Sequence, residues 1–196
     1  IVTGGPDEVG AEVTVTQAIA NGVVALQNNQ GNIPPNNEGG WNYGAPTDSG
    51  DLSTTHFAVV GLSAAASVIV GADMGLPNVA NFLVAGQNAD GGSGYRPGQA
   101  SSSSMTAVTV RLFRLIGVPA GDPRVQEGLG WLREFWTFDR MIGGFTPTST
   151  YYYIWAAQKA MALSEDDEQG GAVYADDFGD RDPAAQSDRR RGRRRR

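Results

Sequence analysis

Three glycine pairs, Gly39-Gly40, Gly91-Gly92 and Gly143-Gly144, recur along this chain with a spacing of 52 residues both times. A period of that length, held twice, marks a repeat architecture, in which each unit is one supersecondary element that buries its apolar side against the next. Other positions keep the register. Tyr43 and Tyr95 are 52 apart, as are Thr54 and Thr106, and Trp41, Ser93 and Phe145 each follow directly on a pair.

The apolar spacing between the pairs says what each unit contains. Ile19, Val23 and Leu26, then Val79, Phe82 and Leu83, then Val125, Leu129, Leu132 and Trp136 follow steps of three and four, the period of a helix with one buried stripe. After each glycine pair comes a loop, then a Ser/Thr cluster able to cap a helix (Ser53-Thr54, Ser101 to Ser104, Ser149-Thr150), then a second apolar run. Each unit therefore predicts a helical hairpin. The six helices are expected near 13–28, 53–71, 77–88, 104–117, 122–136 and 150–163, with no segment alternating as a strand does. The expected domain spans 1–163, in units of about 13–71, 77–117 and 122–163.

The run Leu52 to Ala72 holds 21 residues without a formal charge, long enough in principle to cross a bilayer. Ser53, Thr54, Thr55, His56, Ser63 and Ser67 interrupt it, so it reads as a buried helix among neighbours, and no transmembrane span is expected. After Leu163 the composition changes to an acidic stretch that ends in an Arg-rich block, Arg189 to Arg196. Such a segment buries too little apolar surface to offset the ordering of its backbone, and 164–196 is expected to be a disordered tail. Its basic block is either a solvated end or a contact for an anionic polymer or membrane.

Composition removes several kinds of chemistry. The absence of cysteine excludes a disulfide framework, a thiolate zinc site and a cysteine nucleophile, and a single histidine excludes a site that needs two imidazoles. Residues 1–163 carry 12 acids against 7 bases, a net charge of −5, so no nucleic acid is expected to bind the folded domain.

The stretch Phe82-Leu83, Gln87, Gly91, Ser93 resembles the Gln…Trp repeat of squalene and hopene cyclases, in which an aromatic-aliphatic pair precedes Gln, then Gly, then Trp. Ser93 stands where that repeat has Trp. In the first unit Gln27 and Trp41 stand at the corresponding places, with about ten extra loop residues, Asn28 to Glu38, between them. The third unit keeps Trp131-Leu132 and Gly143-Gly144 but has Trp136 in the place of Gln. Residues 13–163 thus resemble the α/α-toroid superfamily of terpenoid cyclases and prenyltransferase β-subunits, and most of all its bacterial squalene-cyclase and prenyltransferase repeat proteins. The resemblance implies an all-α fold of helical hairpin repeats in a partial α/α toroid, with the helix before each pair outside and the one after it inside. Closed toroids of this kind need more hairpins than three, so the resemblance also implies an open arch, a piece of a longer cyclase-like enzyme, or a ring completed by self-association or a protein partner.

The chemistry that the resemblance brings is mostly missing. Cyclases of this kind present an acid from an Asp-x-Asp-Asp motif, which is absent. Asp51, just ahead of an inner helix, is the nearest candidate for a general acid, and its bland reading is a helix cap. The zinc triad of protein prenyltransferases needs a cysteine, and no metal or cofactor is expected. His56 is the only imidazole and reads either as a ligand-facing group or as a packed, hydrogen-bonded one. Whether the protein is an enzyme stays undecided.

Aromatic density is the remaining signal, since 9 of the 17 aromatic residues fall between Trp131 and Trp155. The expectation is a domain that turns an aromatic concave face toward an apolar, isoprenoid-like ligand, with Trp41, Tyr43, His56, Tyr95, Tyr151, Tyr152 and Trp155 as the lining candidates. The competing expectations are rings that only fill the core and a non-enzymatic protein-interaction scaffold.

Overall fold

A computed structural model describes residues 13–34, 37–138, 140–143 and 149–165. The described chain is mostly helical, with almost no strand. The helices are α1 (Val15–Asn28), α2 (Leu52–Ala65), α3 (Val79–Gly86, entered through a 3-10 turn at Leu76–Asn78), α4 (Ser103–Leu115), α5 (Pro123–Glu134) and α6 (Ser149–Glu165). All six expected helices are present, and α6 takes in the first two residues of the expected tail. The tail from 166 onward lies outside the described residues, as do Gly144 and Phe145.

Local chemistry sets the helix starts. The Thr14 side chain accepts from the Gln17 amide, Asp51 from Thr54, Ser102 from Met105 and Asp122 from Arg124, so each of these helices satisfies one of its free amides. Pro123 opens α5, where its missing N–H costs nothing.

One boundary differs substantially. Helix α2 stops at Ala65 instead of continuing to 71, because Ser67 donates its hydroxyl to the Ala64 carbonyl at 2.8 Å and Gly71 turns left-handed at φ 79°. The uncharged run is thus a helix of 14 residues followed by turns. No described helix is long and apolar enough to cross a membrane. The long first-unit loop also holds two short strands, β1 (Asn32–Ile33) and β2 (Asn37–Glu38), in an antiparallel ladder. Gly31 closes it, donating to Gly40 O and accepting from Gly39 N, both at 2.8 Å. Two-residue strands have no room for alternation, so the sequence carried no strand pattern.

The glycine pairs are hinges. Gly39, Gly91 and Gly143 have φ of 89°, 83° and 72°, a region open to glycine and strained for other residues. Two of the hinges also touch the next unit: a Cβ on Gly39 would lie 2.0 Å from Asn78 O, and one on Gly91 2.7 Å from Glu127 O.

Side chains repeat around these hinges, in a register slightly different from the one expected. Gln87 donates to Gly91 O at 3.1 Å and to Arg124 O at 2.8 Å. Gln30, not Gln27, does the same in the first unit, donating to Gly39 O at 3.0 Å and Gly75 O at 2.8 Å. Gln27 instead reaches Gly71 O at 2.8 Å. Likewise Thr55, not Thr54, matches Thr106: their hydroxyls accept from the amides of Trp41 and Ser93, both at 2.9 Å. The loop from the hinge to the helix that follows it is one residue longer in the first unit, which a fixed spacing of 52 misses.

Helix α4 is the centre. Ser103 through Phe113 are all buried, with α2 and α6 packed against it and α3 and α5 also in contact with it. Helix α5 packs more extensively on α4 than on its own hairpin partner α6. The core runs continuously through Leu52, Val59 and Leu62 of α2, Phe82 and Leu83 of α3, Val108, Leu112 and Phe113 of α4, Leu129 and Leu132 of α5, and Tyr153 and Ala157 of α6.

Candidate functional site

The three helices that follow the hinges meet at one cluster of polar and aromatic side chains. Helix α2 contributes His56 and Phe57, α4 contributes Arg111, and α6 contributes Tyr152 and Trp155. Arg111 Nη1 lies 2.9 Å from His56 Nε2, and His56 Nδ1 lies 2.7 Å from Tyr152 Oη. The Arg111 guanidinium also sits 4.6 Å from the centre of the Trp155 ring, within cation–π distance.

These contacts fix the protons. Arginine has donors and no acceptor, so Nε2 of His56 must present its lone pair, and a neutral imidazole then carries its hydrogen on Nδ1. That hydrogen donates to Tyr152 Oη. Burial, reinforced by the Arg111 charge, pushes His56 down to about 4, in keeping with a neutral ring. Burial, the largest influence, holds Tyr152 well above the usual phenol value despite opposing effects of a Ser53 hydrogen bond and Arg111, while Asp51 and Tyr43 add to the rise. The phenol keeps its proton.

Arg111 is the unusual member. It is only 8% exposed, forms no ion pair with a carboxylate among the described residues, and leaves Nε buried without a hydrogen-bond partner there. A buried guanidinium normally has a carboxylate beside it, because desolvation is costly. Here desolvation lowers its proton affinity and its compensation comes from a neutral imidazole and an indole face.

Tyr152 joins this cluster to a cavity of about 360 Å³ lined by Ser53, Tyr95, Ser102, Ser104, Met105 and Met141 among others. The cavity opens at the N-terminal ends of α2 and α4. On the other side of Tyr152, aromatic rings continue: Phe57 lies 6.2 Å and Trp155 6.0 Å from it by ring centroids. Phe57 is 56% exposed and Trp155 39%.

The expected site residues separate into three groups. His56, Tyr152 and Trp155 come together as described. Tyr95 lines the same cavity, and its phenol bonds Asp51, which after burial is the main reason it is pushed up to about 12. Asp51 is a buried cap, taking the Thr54 amide at 2.7 Å and the Thr54 hydroxyl at 2.9 Å. Trp41 is buried, with its indole donating to Leu26 O at 2.8 Å, and Tyr43 and Tyr151 are exposed at 84% and 80% outside this cluster. Among the described residues no group of three or more His, Cys, Asp or Glu is placed to hold a metal ion.

Arg111 and Ser53 are the participants that sequence reasoning missed. The signal for Arg111 was present: a charge in the middle of a helix otherwise free of charge until Arg114. No protein-family model, no curated protein and no solved structure matches the chain.

Proposed function

We propose that the chain is an open array of α/α-toroid-like hairpins, similar to squalene-cyclase and prenyltransferase repeats, whose inner aromatic face holds an apolar, isoprenoid-like ligand. The observation that carries this reading is the continuous patch Phe57–Tyr152–Trp155, built from α2 and α6 and left partly open although a packed core lies directly beneath it. Large rings kept at the surface in contact with one another supply apolar area at little entropic cost, and a hydroxyl-lined cavity adjoins them. The reading needs no catalytic group.

The test is titration with a long-chain polyprenyl alcohol, followed by tryptophan fluorescence. Saturable binding is expected, weakened about tenfold or more when Phe57→Ala and Trp155→Ala are combined, since two buried rings are worth at least one decade of affinity. Absence of binding to the intact protein rejects the reading.

A second reading, a protein-interaction scaffold, rests on a different place. Tyr43, Phe57 and Ala58 line a groove with Leu26 and Trp41 at the α1–α2 edge, and exposed Val24 lies on the same first helix. Self-association through that edge would appear in size-exclusion chromatography as a dimer that Tyr43→Ser disperses.

A further inference from the structure

Hydrogen-bond polarity along the buried cluster runs in one direction only. Arg111 donates to His56 Nε2, His56 Nδ1–H donates to Tyr152 Oη, and the phenol is left with its own hydrogen to give away. Its surroundings on that side are the cavity and Ser53, whose hydroxyl is its partner there. The chain of donors therefore begins at a fixed positive charge and ends at the Tyr152 phenol and its Ser53 partner, which line a space of about 360 Å³.

We propose that the Tyr152 phenol is the anchoring donor for the carboxylate head of an apolar-tailed monoanion, seated in the cavity between Ser53, Tyr95 and Met105. The proposal rests on the apolar-ligand reading and adds the class of head group. Three features of the cluster support it. Arg111 is buried without a carboxylate of its own, so a ligand carboxylate supplies the missing counter-charge through two polarised bonds. The remaining cavity hydroxyls, Ser53 and Ser104, stand near the N-terminal ends of α2 and α4, where the helix dipoles favour negative charge. A single guanidinium balances a single negative charge. A phosphate monoester, with a charge of about −1.5 to −2 at neutral pH, exceeds it.

The experiment compares dodecanoate, dodecanol and dodecyl phosphate, titrated into the full chain at neutral pH. Dodecanoate is expected to bind at least tenfold more tightly than dodecanol, and Tyr152→Phe is expected to abolish that preference. Equal affinities in the unaltered protein, a preference that survives Tyr152→Phe, or tighter binding of the phosphate would each overturn the proposal. Dodecanol binding alone keeps the apolar-ligand reading standing in those cases. If neither dodecanol nor dodecanoate binds, that reading fails and the proposal with it.

A measurement on the unaltered chain guards against a variant that does not fold. His56 is the only histidine, so nitrogen NMR of the imidazole yields a single pair of resonances. They should report the Nδ1–H tautomer and move on addition of dodecanoate but not of dodecanol. Resonances that ignore dodecanoate at saturation count against the proposal.

Discussion

The hinges and the Arg111–His56–Tyr152 cluster of this protein are built on opposite plans. At the hinges the same bonds occur twice: Gln30 and Gln87 each tie two carbonyls across adjacent segments, and Thr55 and Thr106 each hold the amide two residues after a left-handed glycine. The cluster does not repeat. With the offset of Thr55 to Thr106, the counterpart of His56 is Ala107 and that of Arg111 is Val60, so the Arg111–His56–Tyr152 cluster exists once. Repetition maintains the fold, since every unit faces the same geometric task. A cluster that appears once, and buries a charge to do so, is not explained by the repeat.

The largest test of that contrast is at the hinges. Gly39→Ala and Gly91→Ala should each destabilise the protein by about 4 kcal/mol, combining roughly 1–2 for a left-handed alanine with roughly 1–3 for the forced contact. The contacts in question are with Asn78 O and Glu127 O. Gly117 is left-handed too, at φ 87°, but nothing lies within 4 Å of its Cβ position, so Gly117→Ala should cost only about 1–2 kcal/mol. Chemical denaturation of the three variants checks this. Similar losses at all three positions would mean that the hinges do not clamp neighbouring units.

Next in size is the His56 cluster, through pH. His56 is neutral when folded, with its pKa lowered from 6.5 to about 4, whereas in the unfolded chain it charges near its ordinary value. The unfolded state therefore binds more protons below about 6.5, and stability present above that pH is lost as the pH falls toward 4. The loss from this group amounts to about 3 kcal/mol. The groups facing it are Arg111 from α4 and Tyr152, Trp155 and Phe57 around it, none of which titrates in that window. His56→Gln should flatten that part of a stability–pH curve. A curve unchanged by the substitution would show that the imidazole is not held neutral.

Returning to the hinges, Gln30→Leu and Gln87→Leu should cost about 2 kcal/mol each, because each removes two bonds to backbone carbonyls. The comparison is sharpened by Gln27→Leu, which breaks one such bond, to Gly71 O, and should cost about half as much. If Gln27 proves the most sensitive of the three, the register drawn from the hydrogen bonds is wrong.

What could be read from the sequence divides along the same line. The six helices and their hinges were legible because a period of 3.6 inside a period of 52 is a physical consequence of stacking like units, and left-handed turns select glycine. The offset by which Gln30 and Thr55 replace Gln27 and Thr54 was not legible, because loop length absorbs a shifted residue without changing composition. The early end of α2 was hidden for a related reason: Ser67 and Gly71 signal a stop only when the serine bonds back to the helix. His56, Tyr152 and Trp155 were in the candidate set as aromatic or imidazole groups on the helices that follow the hinges. Their meeting was not, since His56 and Tyr152 are 96 residues apart and belong to different units.

The smallest expected effect is the most informative about the cluster. Arg111→Met removes a buried cation that has no carboxylate, which relieves desolvation, and leaves His56 Nε2 without its donor, which costs about 1–3 kcal/mol. The flexible thioether fills much of the same volume beside Trp155. These changes oppose one another, so the net effect on stability should fall within about 1 kcal/mol. Imidazole NMR should meanwhile show His56 titrating at a higher pH than before, though still below 6.5, because burial is the first cause of its shift and Arg111 the second. A loss of several kcal/mol would instead make Arg111 a staple between the helices that follow the hinges, and the contrast between repeating joints and a solitary cluster would lose its meaning. A charge whose removal costs the fold little has to be accounted for by what it does in the folded protein.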